Sequence, residues 1–247
     1  MTPQDYLRHL RGDAARLRDV AARGLSAPVP SCPEWDVAAL VRHTASVYAH
    51  KVACMRLLRQ PADGEWATEP SDGDLLAWFD RELATLCDEL SSRDAADPSF
   101  TWYPPDQTVG FWHRRMAQET VVHRYDAELA LGETSPIDEE LAIDGIDEVL
   151  AVFLAGPWYG DEPVEDATSR SVLVCSGGRT WHVTLGRDAV PISTDDTAGA
   201  TELVVTGPPG ETLLWLWGGR VGDDVVTIDG PADLAAELRS RLDYCVS

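Results

Sequence analysis

The feature that most constrains this chain is a change of period near residue 156. Before it, apolar residues recur at the three-to-four spacing of helices. After Gly156-Pro157 they alternate in the two-residue period of strands. Long helices first and short strands afterwards predict an α+β protein, with an all-helical domain over residues 1–157 and a small α+β domain over residues 158–247. Thr2-Pro3-Gln4-Asp5 supplies an N-cap hydroxyl, a proline at the first helical position and an acid in the first turn. That helix should run to about Gly24 on a stripe of Tyr6, Leu10, Ala14, Leu17 and Ala21. Asp36 can cap a second helix from Val37 to about Arg59. A third covers Asp74 to Ser92, a fourth Thr108 to Gly132, and a shorter fifth Asp138 to Ala155. In the second part, strands are expected at Ser171–Val174, Thr180–Leu185, Thr201–Thr206 and Val225–Ile228, with helices at Pro209–Trp217 and Pro231–Leu242. Gly177-Gly178 reads as a hairpin turn, and Trp215 and Trp217 as core of the second domain.

Composition narrows the partners. A formal net charge of −22 over 247 residues repels nucleic acid and anionic membrane surfaces. The start carries no charged-then-apolar signal, and no run of about 18 apolar residues occurs, so a cytoplasmic protein is expected. The five cysteines are scattered without a C-x-x-C, which fits reduced thiols rather than a disulfide framework. No glycine-rich phosphate loop is present.

The fourth helix carries polar groups where a core helix should be apolar. At about 100° per residue, Phe111, Trp112, Met116, Val122, Tyr125, Leu129 and Ala130 fall on one half, expected to face the interior. His113, Ala117, Thr120, Arg124 and Glu128 fall on the half expected to face water. Glu119, His123 and Asp126 belong to the apolar half, where an unsatisfied carboxylate or imidazole costs roughly 2–7 kcal/mol. Glu119 and His123 are four apart, one turn along one face, and can grip one ion. The second helix has a matching anomaly: His43 shares a stripe with Ala39, Leu40, Val47, His50, Cys54 and Leu57. Three protein ligands with one position left open define a mononuclear catalytic zinc site. His43, Glu119 and His123 supply such a set; the alternative is a buried Glu–His ion pair with His43 a satisfied core histidine. His50 lies two turns beyond His43, too far to share the ion. Asp126 can accept the N–H that a ligating imidazole leaves free, or form an ordinary salt bridge. Arg115 either pairs with Glu119 or reaches a substrate carboxylate. Trp35, just before the second helix, can fix a loop over the site. Trp35 and His50 are the candidates to line a cofactor site. His9, His113 and His182 read as surface or sheet residues.

At this point a family resemblance enters. Cys32-Pro33-Glu34-Trp35-Asp36-Val37, followed by Leu40-Val41-Arg42-His43, resembles the C-P-G-W-[ST]-V-x-D-L-x-x-H segment of the mycothiol-dependent maleylpyruvate isomerase family. The run from Glu119 through Gly132 resembles that family's H-E-x-x-V-H-R-x-D-A-E-x-A-x-G helix, with Gln118 in place of the leading histidine. Leu214 to Arg220 resembles its W-L-x-G-R segment, with an extra glycine at Gly218-Gly219. The resemblance implies a DinB-like up-and-down four-helix bundle followed by a sterol-carrier-like α+β domain. It implies a divalent metal, usually zinc, on His43, Glu119 and His123, and mycothiol as thiol cosubstrate attacking a small electrophile such as maleylpyruvate. Among arginines of the C-terminal domain, Arg220 matches the one that matters in catalysis, and Arg115 is the second catalytic candidate. The expected function is therefore a metal-dependent thiol transferase or isomerase, acting as a monomer or homodimer. The alternatives are a hydrolase using metal-bound water and a non-catalytic metal-binding regulatory protein.

Overall fold

A computed structural model describes residues 1–70, 74–156, 169–195 and 201–246. The chain forms two compact units, Met1–Ser135 and Pro136–Ser247. Among the described residues no helix is long and apolar enough to cross a membrane.

The first unit holds four helices: α1 (Pro3–Ala21), α2 (Val37–Leu57), α3 (Leu75–Ser92) and α4 (Val109–Ala130). Each begins on a side-chain cap that satisfies otherwise orphaned backbone N–H groups. Thr2 and Asp5 cap each other's backbone at α1, Asp36 accepts from Ala39 N at α2, Asp74 accepts from Leu76 N and Ala77 N, and Thr108 accepts from Phe111 N. α1 lies along α4 and α2 along α3, and contacts between α2 and α4 and between α1 and α3 close the ring. Leu10, Leu17, Leu40, Tyr48, Met55, Trp78, Phe79, Leu86 and Trp112 fill the middle.

Side-chain pairs give the helix directions. Asp13 meets Arg124 and Arg16 meets Glu128, so α1 and α4 run parallel. Tyr48 meets Phe79 and Arg56 meets Glu89, so α2 and α3 also run parallel. Arg18 with Asp80 and Arg11 with Ser91 set α1 antiparallel to α3. The order is up, down, down, up, rather than the simple up-and-down alternation expected. The connection over residues 58–74 permits this: it can reach roughly 50 Å extended, against about 31 Å for a 21-residue helix.

The second unit is a five-stranded sheet with three helices. The strands are β1 (Arg170–Ser176), β2 (Arg179–Leu185), β3 (Ile192–Ser193), β4 (Leu203–Thr206) and β5 (Thr227–Asp229), in the order β3-β2-β1-β4-β5. Only the β1–β4 pair is parallel. Gly177 and Gly178 make the β1–β2 hairpin, both at positive φ (55° and 72°), as a two-residue type I′ turn requires. Alternate residues point inward: Val172, Val174, Trp181, Val183 and Leu185 are buried. The helices are α5 (Glu139–Glu148), which continues into a π-helical turn (Val149–Leu154), α6 (Pro209–Leu216) and α7 (Ala232–Val246). Trp215 and Trp217 are core residues of this unit.

Two sequence expectations shift here. The units divide at Ser135/Pro136, ahead of residue 157, because α5 packs against α6 of the sheet unit. Its stripe of Leu141, Ile146, Val149 and Leu150 announces burial but not which core receives it. Strand β3, two residues long, escaped the sequence reading because two residues cannot display an alternation. The break expected at Gly156-Pro157 falls partly outside the described residues.

Candidate metal centre

Helix α4 has no water face. His113, Ala117, Thr120, Arg124 and Glu128, expected to be solvated, are all buried, whereas Tyr125, Leu129 and Ala130, expected inward, are only half-buried. The reversal has a physical reason. The polar half meets α1 and α2, which supply partners for it. Tyr48 and Thr120 share a hydrogen bond of 2.6 Å, Arg124 reaches Asp13, and Glu128 accepts from Arg16, Arg124 and Ser135. His113 lies within hydrogen-bond distance of Val109 O, so it is an interior histidine and not a surface one.

Along α2 the buried line runs through Leu40, Val41, Thr44, Ala45, Tyr48 and Val52, not through the stripe expected from His43. His43 stands on the flank of that line, with its side chain 38 % exposed, against 15 % for Glu119 and 9 % for His123. The group is therefore walled by protein on the α4 side and open on the His43 side.

His43, Glu119 and His123 come together. Glu119 Oε1 lies 3.3 Å from His43 Nε2 and 3.2 Å from His123 Nε2, and one donor atom from each residue falls within 4.8 Å of the others. Tetrahedral zinc with ligand bonds of about 2.0–2.1 Å has ligand–ligand edges of about 3.3–3.4 Å. The two edges to Glu119 lie close to this and the third donor pair lies within 4.8 Å, so the donor set can close on a divalent metal and suits one in chemistry.

The surrounding residues fix the donors. Asp126, wholly buried, places Oδ2 3.0 Å from His123 Nδ1, and Ser31 donates to Asp126 Oδ1 at 2.5 Å. Arg115 donates to Glu119 Oε2 at 2.9 Å, leaving Oε1 for the histidines. Trp35 packs against His43 with ring centroids 4.8 Å apart, and the loop bearing it is pinned by bonds from Val29 N to Trp35 O and from Trp35 N to Cys32 O. Burial favours the neutral carboxyl of Glu119, but His123, His43 and Arg115 outweigh it and hold its pKa well below the usual range. Burial likewise opposes charge on His123, yet Glu119 and Asp126 push its pKa up to about 9. Without metal, a proton sits where a cation would; metal binding must displace it.

The remaining candidates lie elsewhere. His50 is not part of the triad; it packs edge-on against Trp66, and its Nδ1 faces Lys51 and Cys54. Arg220 belongs to the second unit, where Gly218 and Gly219, at φ 68° and 62°, turn the chain after α6 and Arg220 Nη1 donates to Trp217 O. Sequence reasoning missed Ser31, which carries no motif. None of the five cysteines is in a disulfide.

Comparison with known proteins finds matches along most of the chain. A family model described as the mycothiol maleylpyruvate isomerase N-terminal domain matches residues 7–128, and the MDMPI C-terminal domain model matches residues 140–237. No curated protein matches. Two crystal structures share the fold, those of a mycothiol-dependent maleylpyruvate isomerase (TM-score 0.61, 12 % identity) and of a histidine-to-alanine mutant described under the same name (TM-score 0.59, 13 % identity). Each alignment covers 93 % of both chains. With both domain models matched in order along nearly its whole length, the chain belongs to the mycothiol maleylpyruvate isomerase family.

Proposed function

We propose that this chain is a divalent-metal-dependent enzyme that uses a low-molecular-weight thiol, mycothiol, to transfer to or isomerise a small electrophile such as maleylpyruvate. The observation that carries the proposal is the convergence of His43 Nε2, Glu119 Oε1 and His123 Nε2 on a half-open patch of the bundle.

A divalent ion, zinc by its ligand set, supplies positive charge that lowers a thiol pKa from about 8.5 and makes the thiolate available at neutral pH. The chain's own residues do the rest. Glu119 contributes one negative charge, which leaves a thiolate at the site more nucleophilic than three neutral histidines would. Arg115 holds the second oxygen of Glu119, so the carboxylate cannot turn away from the site. Asp126 keeps the Nδ1 proton of His123 in place and presents Nε2 inward. Trp35 covers one side of His43 and limits the approach of water there. Arg220 stays a catalytic candidate by its match to the family motif. A reducing cytoplasm suits such thiol chemistry.

The test pairs metal analysis with calorimetric titration of mycothiol into metal-loaded protein and into His123→Ala. About one metal per chain and saturable binding that weakens tenfold or more in the variant are expected, since a thiolate without its metal keeps only peripheral contacts. Equal binding by both proteins, or negligible metal in the wild type, overturns the proposal. Turnover independent of added thiol would reassign the site to hydrolysis.

A further inference from the structure

Of the 20 lysines and arginines in this chain, Lys51 alone is a lysine. Every other lysine-or-arginine position is an arginine. The lone lysine is half-buried rather than fully exposed, where substitution between the two would be easiest. It lies on α2 against α4, with Nζ 5.2 Å from the centroid of the Trp112 ring and 3.2 Å from His50 Nδ1. No described carboxylate comes within 4.0 Å of its Nζ. A guanidinium there would bring five donors in a rigid fork, whereas an ammonium is a compact charge that fits over one ring face and beside one imidazole.

The position relative to the metal centre follows from the helix directions. α2 and α4 run antiparallel, with His43 opposite His123, Tyr48 opposite Thr120, and Lys51 opposite Trp112. Lys51 is eight residues from His43, roughly 12 Å along the same helix. The charges of Glu119 and Arg115 are felt at Lys51. Burial favours the neutral amine, so an ammonium here gains from an incoming anion. His50 is kept from protonating: burial and the Lys51 charge push its pKa down to about 4, and its neutral Nδ1 accepts from the ammonium. The arrangement holds one cation in place with no carboxylate among the described residues within 4.0 Å of it.

We infer that Lys51 is the carboxylate-recognition group for an acidic electrophile, its ammonium lodged between His50 and the Trp112 face at the far end of the α2–α4 strip from His123. An acid that reaches both Lys51 and the metal centre has to span roughly the 12 Å of helix between Lys51 and His43, which selects extended acids. The identity of the anion rests on the thiol–electrophile reading above; the existence of the anion site does not.

A single lysine makes the test direct. Protein grown with lysine labelled at ¹³Cε gives one lysine side-chain signal. Metal-loaded protein is titrated with maleate and, separately, with dimethyl maleate, which has the same skeleton and no charge. The lysine signal is expected to shift and saturate with maleate and to stay in place with the ester. A signal unmoved by a large excess of maleate overturns the inference. Variants add a kinetic reading: Lys51→Met raises KM for an acidic electrophile about tenfold or more with kcat changed by less than about threefold, and Lys51→Arg recovers part of the loss. A Lys51→Met variant that melts lower but keeps the wild-type KM also overturns it, because the lysine would then serve only to pack Trp112. A shift with maleate in a protein that shows no thiol-dependent turnover keeps the anion site and sinks only the proposed function.

Discussion

At the scale of single residues, Asp126 decides which nitrogen of His123 is available. Its Oδ2 takes the Nδ1 proton, and Ser31 holds its other oxygen, so both carboxylate atoms are spoken for. A ligating imidazole depends on such a partner for its tautomer and its aim. Asp126→Asn keeps the size and removes the charge, and the amide can present its NH₂ as well as its oxygen to His123. Metal affinity is expected to fall about 10–100-fold, read by competition with a chromophoric chelator, while helix content by circular dichroism stays the same. An unchanged affinity would mean that the α4 backbone alone orients His123. The triad itself was legible because a Glu and a His four apart on one helix share a face whatever that helix packs against, and His43 offered a third ligand from another helix. Ser31 was not legible. It sits in a proline-broken loop, and only the folded path of residues 28–36 brings its hydroxyl to a residue 95 positions away.

At the scale of elements, α4 shows where periodicity misleads. Its alternating apolar and polar halves suggest one wet face, yet α1 and α2 cover the polar half. What decides is the partner helix: α1 brings Asp13 and Arg16 at the spacing that meets Arg124 and Glu128. Glu128 is fully buried and accepts from Arg16 at 2.7 Å, from Arg124 at 2.8 Å and from Ser135 N at 2.8 Å. Burial alone would raise its pKa, but Arg16, Ser135 and Arg124 together lower it. Removing one member of a buried charge pair strands the other, at about 3–5 kcal/mol. Arg16 is 43 % exposed and can turn to water, so the lower end applies. Glu128→Ala should therefore destabilise the first unit by about 3 kcal/mol in urea unfolding, with the metal stoichiometry of the folded protein unchanged. A cost under about 1 kcal/mol, typical of a solvated surface pair, would mean that the network is wetter than its geometry implies. The caps at Thr2 and Asp36 were readable, and the third and fourth helices were placed to start on their capping residues Asp74 and Thr108, since a cap needs only its own three following residues. The parallel run of α2 and α3 was not, because direction depends on what a connection does in space and not on its residues.

For the whole molecule, the fold persists at 12–13 % identity to solved structures, so the apolar pattern and turn chemistry carry it while most surface residues are free to change. This chain is acidic: 42 Asp and Glu against 20 Lys and Arg. Two electrostatic effects then oppose each other. Short pairs such as Arg56 with the buried Glu89 attract within 4 Å, where added salt does little to part-buried geometry. The uncompensated charge of −22 repels itself over longer distances, where salt acts strongly. Raising sodium chloride from about 0.05 M to 0.5 M shortens the screening length from roughly 14 Å to roughly 4 Å. That length then matches the ion-pair distances and falls below the spacing of most surface acids. Repulsion should be lost before attraction, and the thermal midpoint should rise by several degrees, at about 2–4 °C for each kcal/mol in a chain of this size. Potassium chloride should give the same curve if screening is the cause. A midpoint that falls with salt would reverse the balance and make the arginine–carboxylate pairs, few as they are against the acids, the larger electrostatic contribution to stability.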